Sequence, residues 1–97
     1  MRIIKPKTLQ DLWGKHPDAE KPLRAWLEIA QLANWGTPSA VKADYRSASI
    51  VANNRVVFNI KGNDYRLVVK FYYNTKIGYI RFIGTHREYD RIDVTEV

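Results

Sequence analysis

The sequence predicts an α+β fold: a short strand and two or three helices, then about four antiparallel strands, with the helices packed on one face of the sheet. Three observations carry this reading. Early in the chain, apolar residues recur at helical spacing, as in Leu23, Trp26, Leu27 and Ala30 at i, i+3, i+4 and i+7. From residue 49 the period falls to two, and β-branched and aromatic residues dominate. The turn signals between these later segments (53–54, 62–63 and 74–78) are short, as an antiparallel meander requires. A chain of 97 residues suffices for one small core, so a single domain over 1–97 is expected.

Taken in order, "RIIK" (2–5) reads as a strand. Thr8 reads as the N-cap of a first helix, with Leu9, Leu12 and Trp13 on one side and Gly14 as its stop. "HPDAEKPLRAWLEIAQLANWG" (16–36) reads as a second helix ended by Gly36. Pro22 falls in its first turn, where a missing N–H costs little. "TPSAVK" (37–42) has an N-cap followed by proline and predicts one further helical turn. "SIV" (49–51), "RVVFNIK" (55–61), "DYRLVVKFYY" (64–73) and "GYIRFIGT" (78–85) read as strands. "NN" (53–54), "GN" (62–63) and "NTKIG" (74–78) supply the turns.

Strict alternation gives the sheet two unlike faces. Val56, Phe58, Ile60, Leu67, Val69, Phe71, Ile80 and Phe82 fall on one, which the helices' apolar stripe is placed to cover. Arg55, Val57, Asn59, Lys61, Arg66, Val68, Lys70, Tyr72, Tyr79, Arg81 and Ile83 fall on the other. Residues 55–81 hold six Lys or Arg and a single acid, Asp64. An inert surface usually mixes its signs, so this bias points to a polyanion, with cations for phosphates and tyrosines for bases. The formal net charge of +6 points the same way.

Several chemistries are excluded or disfavoured. No cysteine means no disulfide, no thiolate metal site and no thiol nucleophile. The acids are scattered and there are only two histidines, so no metal and no cofactor is expected. No apolar run approaches a membrane span, and the N-terminus lacks a signal-peptide core, so a cytoplasmic protein without a membrane partner is expected. RNA, however, carries its own nucleophile. Cleavage by the 2′-OH needs a base, an acid for the 5′-oxygen and cations for the pentacoordinate phosphate. "GTHREYD" (84–90) offers His86 and Tyr89 one helical turn apart, with Asp90 able to orient His86. His86 as a turn residue and Tyr89 as a packing residue are the competing structural readings. His16 and the three tryptophans read as structural, as do Thr85 and Glu88.

"RVVFNIKGNDYRLVVKFYY" with "YIRFIGTHREYDRID" resembles the HigB family of bacterial type II toxins, in the RelE/ParE-like superfamily. "HPDAEKPLRAWL" and "ANWGTPSAVKADYRSAS" extend the likeness over nearly the whole chain. The resemblance implies two N-terminal helices on a curved, largely antiparallel sheet. It implies an mRNA interferase that cuts mRNA on the ribosome, held inactive by a HigA-like helix-turn-helix antitoxin. By position, the family's basic strand residue falls on Arg66 and its terminal polar cluster on His86, Tyr89 and Asp90; Lys61, Asn63 and Arg81 match the family pattern too. Other RelE-like enzymes use mainly lysine, arginine and tyrosine, so the acid and base are not transferred and both orders of His86 and Tyr89 stay open. The expectation is therefore Arg66, His86, Tyr89 and Asp90 as catalytic residues. Arg55, Lys61, Asn63, Lys70, Tyr72, Tyr79 and Arg81 are expected to hold RNA. Two alternatives stand beside it: a non-enzymatic toxin on the same fold that poisons gyrase, and a plain nucleic-acid-binding module.

Overall fold

A computed structural model describes residues 1–97. Its elements run β1 (Arg2–Ile4), α1 (Lys7–Lys15), α2 (Glu20–Leu32), α3 (Pro38–Asp44), β2 (Ser49–Val51), β3 (Arg55–Ile60), β4 (Tyr65–Tyr72), β5 (Ile77–Thr85) and α4 (His86–Tyr89). Single 3-10 turns lie at Pro17–Ala19 and Tyr73–Thr75. The five strands form one open sheet in the order β1-β5-β4-β3-β2. β2 to β5 are the expected antiparallel meander, and β1 adds in parallel to β5, with Ile3 opposite Gly78. No helix is long and apolar enough to cross a membrane.

Helix ends differ from expectation in three places. Thr8 lies inside α1 and caps nothing, because the helix is set two residues earlier by Pro6, whose φ of −63° is already helical. Gly14 does not stop α1, which runs on to Lys15; a glycine with ordinary helical φ is only a weak link, not a terminator. α2 ends at Leu32, four residues before Gly36, where Ala33 turns extended and the Met1 amino group takes the carbonyls of Ala30 (3.0 Å) and Gln31 (3.3 Å). A cation there satisfies orphan carbonyls and meets the negative end of the helix dipole. Thr37 does cap α3, accepting from the Ala40 N–H at 3.2 Å, and α3 runs seven residues where one turn was expected.

The helices cover one face of the sheet, as predicted. Leu23, Trp26 and Ala30 of α2 are buried against Val56, Phe58, Ile60, Leu67, Val69, Phe71 and Ile80. Phe58 sits at the aromatic centre, with ring centroids of Trp26 and Tyr45 both 5.2 Å away, Phe71 at 6.3 Å and Trp35 at 6.5 Å. Burying one such side chain is worth about 1.5–3 kcal/mol.

One strand breaks strict alternation, and it matters for the site. Val69 of β4 faces Ile80, yet the next residue, Val68, faces Phe82, so Arg81 is an extra residue on β5. A bulge flips every later side chain to the opposite face. Phe82, expected in the core, lies on the outer face; Ile83, expected outside, packs against the core.

Candidate active site

The bulge aims the end of β5 at the outer face, and a one-turn helix then projects from it. Thr85 and Glu88 form a capping box: the Thr85 N–H donates to Glu88 Oε1 at 2.8 Å, and the Glu88 N–H donates to Thr85 Oγ1 at 3.2 Å. These bonds hold the Glu88 carboxyl below its ordinary range, the backbone N–H contributing most. The structural reading of Thr85 and Glu88 fits this geometry. The His86 N–H donates to the Asp64 carbonyl at 3.1 Å, which ties the turn to the β3–β4 hairpin. Four residues of α4 could not stand alone in water; these tethers fix it.

The turn and the strands hold four of the expected residues as two pairs. His86 Nδ1 lies 3.1 Å from Asp90 Oδ2, one turn on, and Nε2 has no protein partner. The Arg66 guanidinium is centred 5.9 Å from the Tyr89 ring, whose other neighbour is Phe82 at 6.4 Å. Arg66 Nη1 also donates to the Asn63 carbonyl at 3.0 Å, so Asn63 contributes its backbone to aiming the guanidinium. Arg66 is directly opposite Gly84, where a Cβ would come within 2.7 Å of the Phe82 ring and 2.9 Å of Glu88 Oε1. Only glycine leaves room there for Phe82 to reach Tyr89. A hollow of about 360 Å³ beside His86 is lined by Asn63, Asp64, Tyr65, Thr85, His86 and Arg87. No three His, Asp or Glu side chains converge in a way that would hold a metal ion.

Two residues expected to bind RNA are engaged elsewhere. Arg55 is only 6% exposed; its Nε and Nη2 donate to the Val97 carbonyl and its Nη1 to the Asn53 carbonyl, pinning the C-terminal segment across the sheet. Alternation put Arg55 on the outer face correctly, but the segment folded over that end is invisible to a periodicity argument. Lys61 lies beyond β3 in a turn where it and Gly62 have φ of 53° and 64°, and this rotates it away from the basic face. Its Nζ pairs with Asp18 at 2.7 Å, beside the helices.

Asp18 also accepts from the Tyr65 hydroxyl at 2.7 Å. The Lys61 and Tyr65 hydrogen bonds hold the Asp18 carboxyl below its ordinary range, while burial and Asp18 push the Tyr65 phenol up to about 12. A depressed carboxyl stabilises the fold above its unfolded value and loses that contribution as pH falls through its folded one. A raised phenol stabilises below its unfolded value and loses that as pH rises toward about 12. Urea midpoints should therefore decline below about pH 4 and above about pH 10. Asp18→Asn should flatten the acid limb and Tyr65→Phe the alkaline one; unchanged limbs would refute the linkage.

The remaining expected residues gather further along the outer face. Lys70 lies 5.4 Å from the Tyr72 ring, and Arg81 lies 5.3 Å from the Tyr79 ring. Lys5, missed in the sequence, approaches the same Tyr79 ring at 5.7 Å, and Arg2 lies on the same side in β1. The signal was available in "RIIK": a strand with arginine and lysine beside an already basic sheet.

A short strand and three helices pack on an open, mostly antiparallel sheet, and an arginine of β4 faces the His–Tyr–Asp turn that follows β5. The chain matches the HigB toxin family, the RelE-like toxic component of a toxin-antitoxin system, over residues 19–92, and it belongs to that family. It is 30% identical over 92 residues to the mRNA interferase toxin HigB of Escherichia coli strain K12, covering 93% of this chain and 88% of the relative. The mRNA interferases HigB of Escherichia coli O157:H7 and Shigella flexneri match to the same extent, 30% over 92 residues.

Proposed function

We propose that this toxin is a metal-independent endoribonuclease that cuts mRNA on the ribosome through the RNA's own 2′-OH. A HigA-like helix-turn-helix antitoxin would hold it inactive. The observation that carries the reading is that one turn holds a member of each of two pairs: Tyr89, with Arg66 of β4 centred 5.9 Å from its ring, and His86, with Asp90 3.1 Å from its Nδ1. The activity named for the three relatives supports it.

Asp90 at Nδ1 favours the tautomer that leaves Nε2 with its lone pair, so His86 takes the 2′-OH proton. The 2′-oxygen attacks phosphorus, and Arg66 meets the charge that develops on the non-bridging oxygens. The bond to the 5′-oxygen breaks, and that oxygen takes a proton from the Tyr89 hydroxyl. The products are a 2′,3′-cyclic phosphate and a 5′-OH; solvent returns the proton from His86 to Tyr89.

Inducing the toxin in a bacterial host and mapping RNA 5′ ends tests this. New 5′-OH ends in phase with codons are the expected result. Ends without codon phase would remove the ribosome from the proposal. Unchanged ends with DNA-damage signalling would favour a gyrase poison, and unchanged ends without it a binding module.

A further inference from the structure

The outer face carries a second feature, away from the His–Tyr–Asp turn. Arg2, Ile4, Tyr72, Thr75, Ile77 and Tyr79 line a hollow of about 420 Å³. Tyr72 faces Ile77 and Lys70 faces Tyr79 across β4 and β5, so the two tyrosines are diagonal neighbours on one face. Diagonal neighbours stand about 7–8 Å apart. That backbone spacing is close to two stacking steps of about 3.4 Å, so side chains rising from it leave room for one flat ring. Ile4, opposite Tyr79 in β1, and Ile77 give the slot an apolar floor. Tyr72 is 44% exposed, so its ring is open to a partner.

Arg2 lines the hollow, and further cations lie over its two tyrosine rings. Lys5 and Arg81 lie 5.7 and 5.3 Å from the Tyr79 ring, and Lys70 lies 5.4 Å from the Tyr72 ring. No Asp or Glu occurs in residues 1–10 or 65–87. Aromatic rings that accept bases, edged by cations that accept phosphates, are how unpaired nucleic acid is held without sequence readout. Lys70 is four residues from Arg66 on β4, about 13 Å along the strand, which a few nucleotides span.

We infer that this slot binds an unpaired nucleobase of the RNA, flanking the scissile phosphate and stacked between Tyr72 and Tyr79. The inference rests on the nuclease reading for the identity of the polymer, and it deepens that reading by assigning a base subsite that includes Arg2, Ile4 and Lys5.

The test uses the full chain in an inactive His86→Ala background. The probe is a short single-stranded RNA carrying 2-aminopurine at successive positions. At one flanking position, fluorescence should be quenched on binding. Tyr79→Ala should weaken binding about 10-fold and abolish that quenching, as removal of one base-stacking ring does. Tyr79→Phe should keep both, which separates stacking from any loss of fold. An abasic RNA at that position should bind wild-type and Tyr79→Ala slots equally. Unchanged affinity and quenching in Tyr79→Ala would overturn the inference, as would an abasic RNA that stays equally sensitive to the substitution. Saturable, Tyr79-dependent binding of an acidic peptide in place of RNA would overturn it too. In the active chain, codon-phased cleavage without quenching removes the slot and leaves the nuclease. Quenching without any 5′-OH ends does the reverse.

Discussion

His86→Ala is expected to abolish mRNA cleavage by translating ribosome complexes, by at least about 100-fold, while the protein melts like the wild type. Proton transfer by a positioned side chain contributes typically about 10²–10⁴-fold. The ring is half-exposed, and its backbone is held by the Asp64 carbonyl and the Thr85–Glu88 box, none of which alanine disturbs. Surface changes of this kind usually stay within about 0.5 kcal/mol of stability. Arg66→Ala should cost about 10²–10³-fold by removing charge stabilisation at the phosphate. Lysine should not rescue it, since an ammonium lacks the guanidinium fork. The proton order is tested separately with a 5′-thio linkage, whose leaving group needs no acid. Tyr89→Phe should recover activity on that substrate, and His86→Ala should not; the opposite pattern would exchange their roles. Full toxicity of His86→Ala at equal expression would sink the catalytic assignment altogether.

What the sequence made legible follows from which interactions are local. Period and turn chemistry are local, so all five strands, the meander and the core stripe of α2 could be read in advance. The end of α2 was misread because a distant group decides it, the Met1 amino group taking its last carbonyls. In the same way, face assignment held along β3 and β4 but failed after Arg81, because a bulge depends on the pairing partner and leaves no composition signal. At the site, Arg66, His86, Tyr89 and Asp90 form their two pairs because a strand register and a single helical turn connect them. Arg55 and Lys61 had the right residue type for RNA, yet Val97 and Asp18 claim their donors from 42 and 43 positions away. Charge read along a chain does not reveal its partners.

The largest expected loss of stability lies at Phe58, on the opposite face from the candidate active site. Its ring meets Trp26, Trp35, Tyr45 and Phe71, and its backbone is directly opposite Leu67, the neighbour of Arg66 on β4. Phe58→Ala removes the shared member of four aromatic contacts and leaves a cavity that rigid strands cannot collapse to fill. Such truncations cost about 3–5 kcal/mol. Each kcal/mol lowers Tm by roughly 4–8 °C in a domain of this size, so a fall of roughly 12–40 °C is expected. Out of a total stability of about 5–15 kcal/mol, that brings the domain near its threshold. Leu32→Ala, at a residue 84% exposed, should leave Tm nearly unchanged and serves as the control. A Phe58→Ala shift under about 5 °C would mean that the aromatic cluster is not the centre of the core. The two substitutions then separate position from chemistry. Phe58→Ala, assayed well below its lowered Tm, should retain cleavage in proportion to its folded fraction, because Arg66, His86 and Tyr89 are built from the outer face and the capped turn. His86→Ala should stay folded and inactive at every temperature. If Phe58→Ala instead lost cleavage while fully folded, the packing behind β4 would be part of what aims Arg66, and the core and the site would have to be treated as one unit.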